Sequence, residues 1–117
     1  LLAYDYYFFW VADIVVDFAK GQAPGQGAWC VAKASSTEKE LVGNIRFACK
    51  YVDCSIIANS KGKCFYPNTA WNHASVVMNL YYQKQARHFW NCNFNGSALI
   101  TVIDPSYGKC KYSFTRN

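Results

Sequence analysis

The sequence predicts a small α+β domain, mainly helical, in which two packed α-helices and a small antiparallel β-sheet are held by three disulfides. Three observations lead to this prediction. Two segments place apolar residues at helical spacing, a later segment alternates as strands do, and six cysteines occur in only 117 residues. At this size a hydrophobic core is modest, so six cysteines are more typical of a disulfide framework than of buried thiols. The sequence therefore favours a secreted protein.

The first helix of the domain is marked by a capping box, in which Thr37 precedes Glu40 by three residues. Apolar residues then recur at the spacing of a buried helical stripe, namely Leu41, Ile45, Ala48, Cys49 and Val52. Gly43 falls on the outer face, where it costs about 1 kcal/mol of helix propensity relative to Ala.

A second helix is predicted to begin after Pro67 and to end near Ala86, with Asn68 or Thr69 as its N-cap. The predicted buried stripe consists of Ala70, Ala74, Val77, Met78 and Tyr81. Tyr82 is rotated by about 100° from Tyr81 around the helix. This assignment places Tyr81 inside the domain and Tyr82 at the rim.

The predicted strands lie in the last quarter of the chain. Ala98–Ile103 reads ALITVI, and the turn residues of the sequence DPSYG follow at 104–108. Cys110, Tyr112 and Phe114 then alternate with polar residues. The sequence thus predicts an antiparallel hairpin between residues 98–103 and 110–114.

Residues 1–28 differ from the rest of the chain, because they contain no cysteine, three Asp and one Lys. Residues 29–117 carry eleven basic and four acidic residues, a net charge of +7. We therefore assign 29–117 to the domain and 1–28 to a leader that ends in a Gly/Gln/Pro linker. The leader has three interpretations: a degenerate signal peptide, an extra amphipathic helix or a gene-model artefact. Its apolar run is far shorter than the roughly 20 residues of a transmembrane helix.

Candidate catalytic groups are few in residues 29–117. Of the four carboxylates, Glu40 is explained by the capping box and Asp104 by a turn, which leaves no evident pair for glycoside hydrolysis. His73 and His88 have no neighbouring nucleophile at a suitable spacing. The cysteines lack zinc-site spacing. The sequence therefore predicts no catalysis, no metal and no cofactor.

The positive charge raises the question of an anionic partner. The basic residues are scattered and never form a run, and a disulfide framework does not suit an intracellular nucleic-acid partner. We expect no nucleic-acid binding. A basic secreted defence or surface-interaction protein that acts through its charge remains the alternative interpretation.

Aromatic and amide residues occur together on the second helix and just after it. An aromatic face stacks on the apolar side of a sugar ring, and amides bind its hydroxyls. The predicted ligand-binding residues are Trp71, Asn79, Tyr81, Tyr82, Gln83 and Phe94. Among them Asn79, Tyr82 and Gln83 form the surface, with Tyr81 as inner support. The competing interpretation is that most of these aromatics simply form the core.

The order of motifs resembles the plant family 43 carbohydrate-binding module, also called the X-eight domain, across nearly all of Trp29 to Tyr112. The matching motifs are Trp29-Cys30-Val31, Ala48-Cys49, Asp53-Cys54-Ser55, Cys64-Phe65, Pro67-Asn68-Thr69, His73-Ala74-Ser75, Asn79, Tyr81-Tyr82-Gln83, Cys92, and Asp104-Pro105-Ser106-Tyr107-Gly108 before Cys110. The resemblance implies a non-catalytic module that binds β-1,3-glucan, the callose of plant cell walls and plasmodesmata. We expect it to be a monomer.

The resemblance also implies the disulfides Cys30–Cys92, Cys49–Cys54 and Cys64–Cys110. From the residues alone, six cysteines allow 15 pairings, and only Cys49–Cys54 is favoured because its loop is short.

Two positions depart from the family pattern, because Val76 and Asn93 stand where the family commonly has Tyr and Asp. Exposed Trp71 and Trp90 would compensate for the lost side chains. Asn95-Gly96-Ser97 is an N-glycosylation acceptor sequence.

Overall fold

The computed structural model describes residues 26–115, which contain two strands and three α-helices. In chain order these are β1 (Gln26–Ala32), α1 (Glu38–Ala48), α2 (Ser55–Ala58), α3 (Ala70–Lys84) and β2 (Ala98–Ile103). Short turns at Phe89–Asn91 and Phe94–Gly96 separate α3 from β2. The predicted α+β class is confirmed. Most of the predicted leader, residues 1–28, lies outside the described residues. Its last three residues, 26–28, belong to β1.

The three disulfides have the pairing that the resemblance implied. Cys30–Cys92 and Cys64–Cys110 join residues 62 and 46 positions apart, whereas Cys49–Cys54 spans five. In the chain-entropy model, each long-range bridge stabilises the fold by about 4 kcal/mol and the short one by about 2 kcal/mol. The two long bridges therefore supply stability that a core of this size lacks.

The first main helix begins at its predicted cap, and the second begins at Thr69, one of its two predicted caps. Thr37 N–H donates to Glu40 Oε1 at 2.8 Å and Glu40 N–H donates to Thr37 Oγ1 at 3.1 Å, which confirms the capping box of α1. Thr69 caps α3 by accepting from the Asn72 N–H. The last residue of α3 is Lys84, two residues before the predicted end.

The core consists of two clusters that share α3. One joins α3 to α1 and the Cys30–Cys92 bridge, and the other surrounds the Cys64–Cys110 bridge. Because α3 is covered on more than one side, its buried set is wider than one stripe. Tyr82 is only 1% exposed, whereas Tyr81 is half-buried. The prediction that Tyr81 lies inside and Tyr82 at the rim is wrong.

Strand β2 pairs with β1 and not with the segment after it. The antiparallel register places Cys30 opposite Ile100 and Ala32 opposite Ala98. The predicted hairpin with residues 110–114 is wrong, because the backbone of that segment binds the side chains of Asn79 and Ser106 and the backbone of Tyr107. Asn79 Nδ2 donates to the Ser113 carbonyl at 2.8 Å. Hydrogen bonds of this kind replace a strand ladder.

Three polar side chains of α3 bind the edge of β1 that faces away from β2. Ser75 Oγ accepts from the Ala32 N–H at 2.9 Å, and Asn79 Oδ1 accepts from the Cys30 N–H at 3.1 Å. Gln83 Nε2 donates to the Ala28 carbonyl at 2.8 Å. The three side chains are four residues apart on α3, a rise of about 6 Å, and their partners are two residues apart on β1, about 6.6 Å. The two spacings therefore match. We call Ser75, Asn79 and Gln83 the polar seam.

Candidate functional site

An open groove of about 890 Å³ lies between α1 and the segment that follows α3. Its size falls in the range of small-ligand sites. Helix α1 contributes Lys39, Glu40, Gly43, Asn44 and Phe47, α3 contributes Tyr81, and the later segment contributes Trp90, Asn91, Asn93, Phe94 and Asn95. The lining thus combines aromatic rings with amide side chains.

Three rings form the aromatic part of the groove. Phe47 lies 5.1 Å from Tyr81 and 6.1 Å from Phe94, measured between ring centroids. Tyr81 and Phe94 are 5.9 Å apart, and all three pairs meet edge to face. This geometry is the favourable one for aromatic rings. It fixes the rings while Phe47 remains 39% exposed.

Trp90 supplies a fourth ring on the outer side of the groove. It is 60% exposed and stacks on the His88 imidazole, with 4.5 Å between centroids and only 5° between planes. Phe89 meets Trp90 edge to face at 5.2 Å. A tryptophan held by its neighbours yet open to solvent is a suitable platform for a flat apolar ligand surface.

Phe94 is held in an unusual backbone conformation. Phe94 and Asn95 have φ values of 51° and 55°, in the left-handed region that a bulky residue rarely adopts. Asn93 Oδ1 accepts from the Gly96 N–H at 2.7 Å, and Ser97 Oγ donates to the Phe94 carbonyl at 2.5 Å. These bonds offset the strain and keep the Phe94 ring against the other two.

The turn that carries Phe94 is also tied to α1. Asn44 Nδ2 donates to Ser97 Oγ at 2.8 Å, and Ser97 is 3% exposed. Asn44 belongs to the wall of the groove formed by α1. One hydrogen bond therefore links the two walls.

A second left-handed pair precedes Trp90. Ala86 and Arg87 have φ values of 61° and 57° and follow the end of α3. The buried Arg87 donates to Gln83 Oε1 at 3.2 Å and to the Thr115 carbonyl, and its guanidinium lies 4.9 Å from the Phe114 ring centroid. Arg87 thereby anchors the segment that leads to the exposed ring.

Five of the six predicted ligand residues fall into two groups in the structure. Tyr81 and Phe94 lie in the groove. Asn79, Tyr82 and Gln83 are buried, at 0%, 1% and 4% exposure. Their predicted placement at the surface is wrong, because the two amides bind β1 and the C-terminal segment while Tyr82 packs in the core.

Trp71, the sixth predicted ligand residue, is 37% exposed but does not line the groove. It lies in the first turn of α3, ten residues before Tyr81, which corresponds to about 15 Å along the helix axis. Its role as a ligand contact stays a prediction separate from the groove.

Sequence reasoning missed the wall of the groove that α1 provides. Glu40, Gly43, Asn44 and Phe47 recur at i, i+3, i+4 and i+7, which places them on one helical face. Phe47 lies outside the predicted buried stripe. The available sequence signal is an aromatic residue, Phe47, four positions after Gly43 on this face. In the structure no atom lies within 4 Å of a Cβ built on Gly43.

The strongly shifted titratable groups lie outside the groove. Burial raises the pKa of Tyr82 and of Tyr112 well above the usual tyrosine value. A hydrogen bond from the Ser55 N–H to Asp53 Oδ1, at 2.9 Å, lowers the pKa of the exposed Asp53 carboxyl. Asp53 therefore caps the turn before α2.

The described part of the chain contains no cluster of three or more metal-ligating side chains. Within residues 26–115 no helix combines the length and apolar character that crossing a bilayer requires.

The fold and groove define a small disulfide-linked binding domain. Among the described residues, Glu40 is the one carboxylate in the groove lining, and it accepts the capping hydrogen bond from Thr37. A family model described as the X8 domain matches residues 28–99, and the chain belongs to the X8 domain family. The resemblance found in the sequence is confirmed.

Relatives of three kinds show similarity to this chain. A glucan endo-1,3-beta-glucosidase of Triticum aestivum is 49% identical over 75% of this chain. The major pollen allergen Ole e 10 of Olea europaea is 41% identical over 80% of this chain and 76% of its own length. Plasmodesmata callose-binding protein 2 of Arabidopsis thaliana is 34% identical over 73% of this chain and 44% of its own length. The match covers only 19% of the wheat glucosidase.

Proposed function

We propose that this chain is a non-catalytic module that binds β-1,3-glucan in the groove between α1 and the 89–96 segment. Its family membership supports this function, as do the names of its relatives, which include glucan endo-1,3-beta-glucosidases and a callose-binding protein. The observation that carries the proposal is the open groove lined by exposed aromatic rings and amides.

The groove suits a neutral polysaccharide. Trp90 and Phe47 expose aromatic surface on which the apolar face of a pyranose ring stacks. The side-chain amide of Asn91 makes no hydrogen bond with the described residues and can bind a sugar hydroxyl. Lys39 and Glu40 contribute opposite charges to the lining, so the groove itself is nearly neutral.

In this proposal the six predicted ligand residues have different roles. Tyr81 and Phe94 contact the glucan or support the rings that do. Asn79, Tyr82 and Gln83 hold α3 against β1 and act on binding only through the fold. Trp71 lies outside the groove and is not assigned a contact.

Hydrolysis is not proposed for this domain. The one carboxylate of the groove lining is engaged in a helix cap, and a retaining or inverting glycosidase needs two carboxyl groups facing each other. The match to the wheat enzyme covers 19% of its length, which leaves most of that enzyme outside the similar region. We propose that the chain acts as a monomer at the plant cell wall, and its three disulfides fit an extracellular location.

The test compares two exposed tryptophans in the oxidised full chain. Calorimetric titration with a soluble β-1,3-glucan oligosaccharide is expected to show at least a tenfold loss of affinity for Trp90→Ala, which corresponds to about 1.4 kcal/mol. The matched control Trp71→Ala is expected to stay within about twofold of the unchanged chain. Equal losses in both variants, or a loss only in Trp71→Ala, would contradict the assignment to the groove.

Ionic strength separates this function from binding through charge. Of the basic residues in the described part of the chain, Lys39 is the one that lines the groove. Raising the salt from about 0.05 M to about 0.5 M shortens the screening length severalfold but leaves stacking intact. Retention on insoluble β-1,3-glucan is therefore expected at both salt concentrations. A steep loss at high salt would favour the charge-based alternative.

A further inference from the structure

The acceptor sequence Asn95-Gly96-Ser97 lies at the rim of the groove. Asn95 is exposed and contributes to the lining, and its side-chain amide makes no hydrogen bond with the rest of the described chain. We propose that an N-linked glycan on Asn95 restricts access of the groove to its polysaccharide. This regulation rests on the function proposed above.

The folded turn leaves room for a glycan that is already attached to Asn95. Asn95 and Gly96 both have positive φ values, 55° and 81°, in the short turn Phe94–Gly96 before β2. Asparagine is one of the few residues that adopt this conformation readily. The neighbouring amides of Asn93 and Asn44 are engaged in hydrogen bonds with Gly96 and Ser97. The Asn95 amide is thus left available at an exposed turn.

The hydroxyl of the acceptor sequence is buried in the folded domain. Ser97 is 3% exposed, accepts from Asn44 and donates to the Phe94 carbonyl. The transferase that modifies such sequences needs this hydroxyl, so the glycan has to be attached before the turn closes. Occupancy is therefore fixed during synthesis and folding, and the mature domain cannot acquire the glycan later.

The transfer itself needs a polyprenyl diphosphate-linked oligosaccharide as co-reactant, which the secretory pathway supplies. A bond forms between Asn95 Nδ2 and C1 of the first sugar. The C1–O bond to the diphosphate breaks, the polyprenyl diphosphate leaves, and Nδ2 loses one proton. No oxidant or reductant is involved.

A glycan at this position competes with a free polysaccharide for the same rings. Its first pyranose is attached next to Phe94 and on the same groove as Trp90. A group tethered by a short flexible link has an effective concentration in the millimolar range. A module that binds each sugar unit weakly is therefore partly occupied by its own glycan. We expect the glycosylated form to bind β-1,3-glucan at least about fivefold more weakly.

The experiment compares the full chain secreted from a glycosylating eukaryotic host with the same chain made oxidised in bacteria. Intact mass measures the occupancy of Asn95, and titration with laminarihexaose measures affinity in each form. The Asn95→Gln variant, made in both hosts, is the control. Its affinity is expected to be the same from either host, whatever its value, because it carries no glycan at this position.

A second readout does not require glucan binding. In a Trp10→Phe, Trp71→Phe background, the remaining tryptophans are the buried Trp29 and the exposed Trp90. Acrylamide quenching then reports mainly on Trp90. The glycan is expected to lower the quenching constant by about twofold, and trimming it to one sugar is expected to restore part of the difference.

Each result has a defined meaning. A glycosylated form that binds more weakly and shields Trp90 supports the proposal. An empty Asn95 in the glycosylating host overturns it, as does equal affinity of the two forms. If neither form binds laminarihexaose, the proposed function fails. In that case the quenching of Trp90 alone decides whether the glycan covers the groove, and unchanged quenching overturns the inference.

Discussion

The polar seam and the groove both contain side-chain amides, and α3 contributes to both. In the seam, Asn79 and Gln83 are buried and bind the backbone of β1 and of residues 113–115. In the groove, Trp90 is largely exposed and the Asn91 amide has no partner among the described residues. An amide beside an aromatic ring therefore indicates a sugar site only where protein groups have not already used it.

The two regions also differ in what a substitution does. The seam side chains bind backbone groups that are buried or half-buried, so removal of a seam side chain leaves these groups without their protein partner. A groove side chain is in contact with water in the free protein, and its removal changes the ligand surface more than the fold. Substitutions in the seam should therefore lower the free energy of unfolding, whereas substitutions in the groove should lower the affinity for glucan.

The largest effect is expected for Asn79→Ala. This change removes the partners of the Cys30 N–H and the Ser113 carbonyl, both at a side chain with no exposed surface. We expect the free energy of unfolding to fall by about 3–5 kcal/mol. Urea denaturation of the oxidised chain measures it.

Asn91→Ala is the matched control in the groove, and its unfolding free energy should change by less than about 0.5 kcal/mol. A similar cost in both variants would mean that the seam does not hold the fold as described.

A second comparison uses adjacent tyrosines of α3. Tyr82→Ala removes a ring that is 1% exposed and should cost about 3–5 kcal/mol of stability. Tyr81→Ala removes a half-buried ring of the groove and should cost less, about 1–2 kcal/mol, while it weakens glucan binding. Thermal unfolding and glucan titration together check both. A larger loss of stability for Tyr81→Ala than for Tyr82→Ala would contradict this assignment and favour the predicted stripe, in which Tyr81 is the buried residue.

High pH should lower the free energy of unfolding through two buried tyrosines. Burial raises the pKa of Tyr82 and Tyr112, so the folded protein keeps protons that the unfolded chain loses above its ordinary tyrosine pKa of about 10. Their contribution is fully present below that value and is lost as the pH rises toward the folded pKa. At one pH unit above the unfolded value the loss is about 1 kcal/mol for each tyrosine.

Urea midpoints at neutral pH and near pH 11 measure this loss. Tyr82→Phe should reduce the alkaline decrease, and a decrease of unchanged size in that variant would contradict the assignment to Tyr82.

The smallest effect is expected at Gly43, on the wall of the groove. No atom lies within 4 Å of a Cβ built there, so Gly43→Ala should raise the free energy of unfolding by about 0.5–1 kcal/mol through helix propensity alone. Gly43→Leu should also stabilise the helix but place a side chain in the groove.

Glucan titration separates the two variants of Gly43. Gly43→Leu is expected to bind much more weakly than Gly43→Ala, although both unfold at higher urea concentration than the unchanged chain. Undiminished binding by Gly43→Leu would contradict a ligand position next to α1.

Local signals predicted the parts of the fold that depend on nearby residues. The capping box at Thr37, the cap at Thr69 and the strand Ala98–Ile103 are all as predicted. Each rests on contacts within a few positions, or on an alternation that one segment contains. The short loop between Cys49 and Cys54 favoured that disulfide from the residues alone. The two long-range pairings were available only through the family resemblance, because they depend on the tertiary fold.

The predicted hairpin and the predicted faces of α3 failed because they needed the tertiary arrangement. Residues 110–114 alternate as a strand does, but the backbone of Ser113 and of the following Thr115 binds Asn79 and Gln83 of α3, which no local pattern reveals. Tyr82 was placed outside because one apolar stripe was assumed for a helix that has two covered sides. The same packing leaves Tyr81 at the groove.

Binding of glucan in the groove is tested most directly by the indole N–H signals of the full chain in a nuclear magnetic resonance titration with laminarihexaose. Trp90 lies in the groove, Trp71 about 15 Å along α3 from Tyr81, and Trp29 is buried. The groove assignment predicts that the Trp90 signal moves progressively to saturation while those of Trp29 and Trp71 stay in place. Movement of the Trp71 signal with Trp90 unchanged would contradict it.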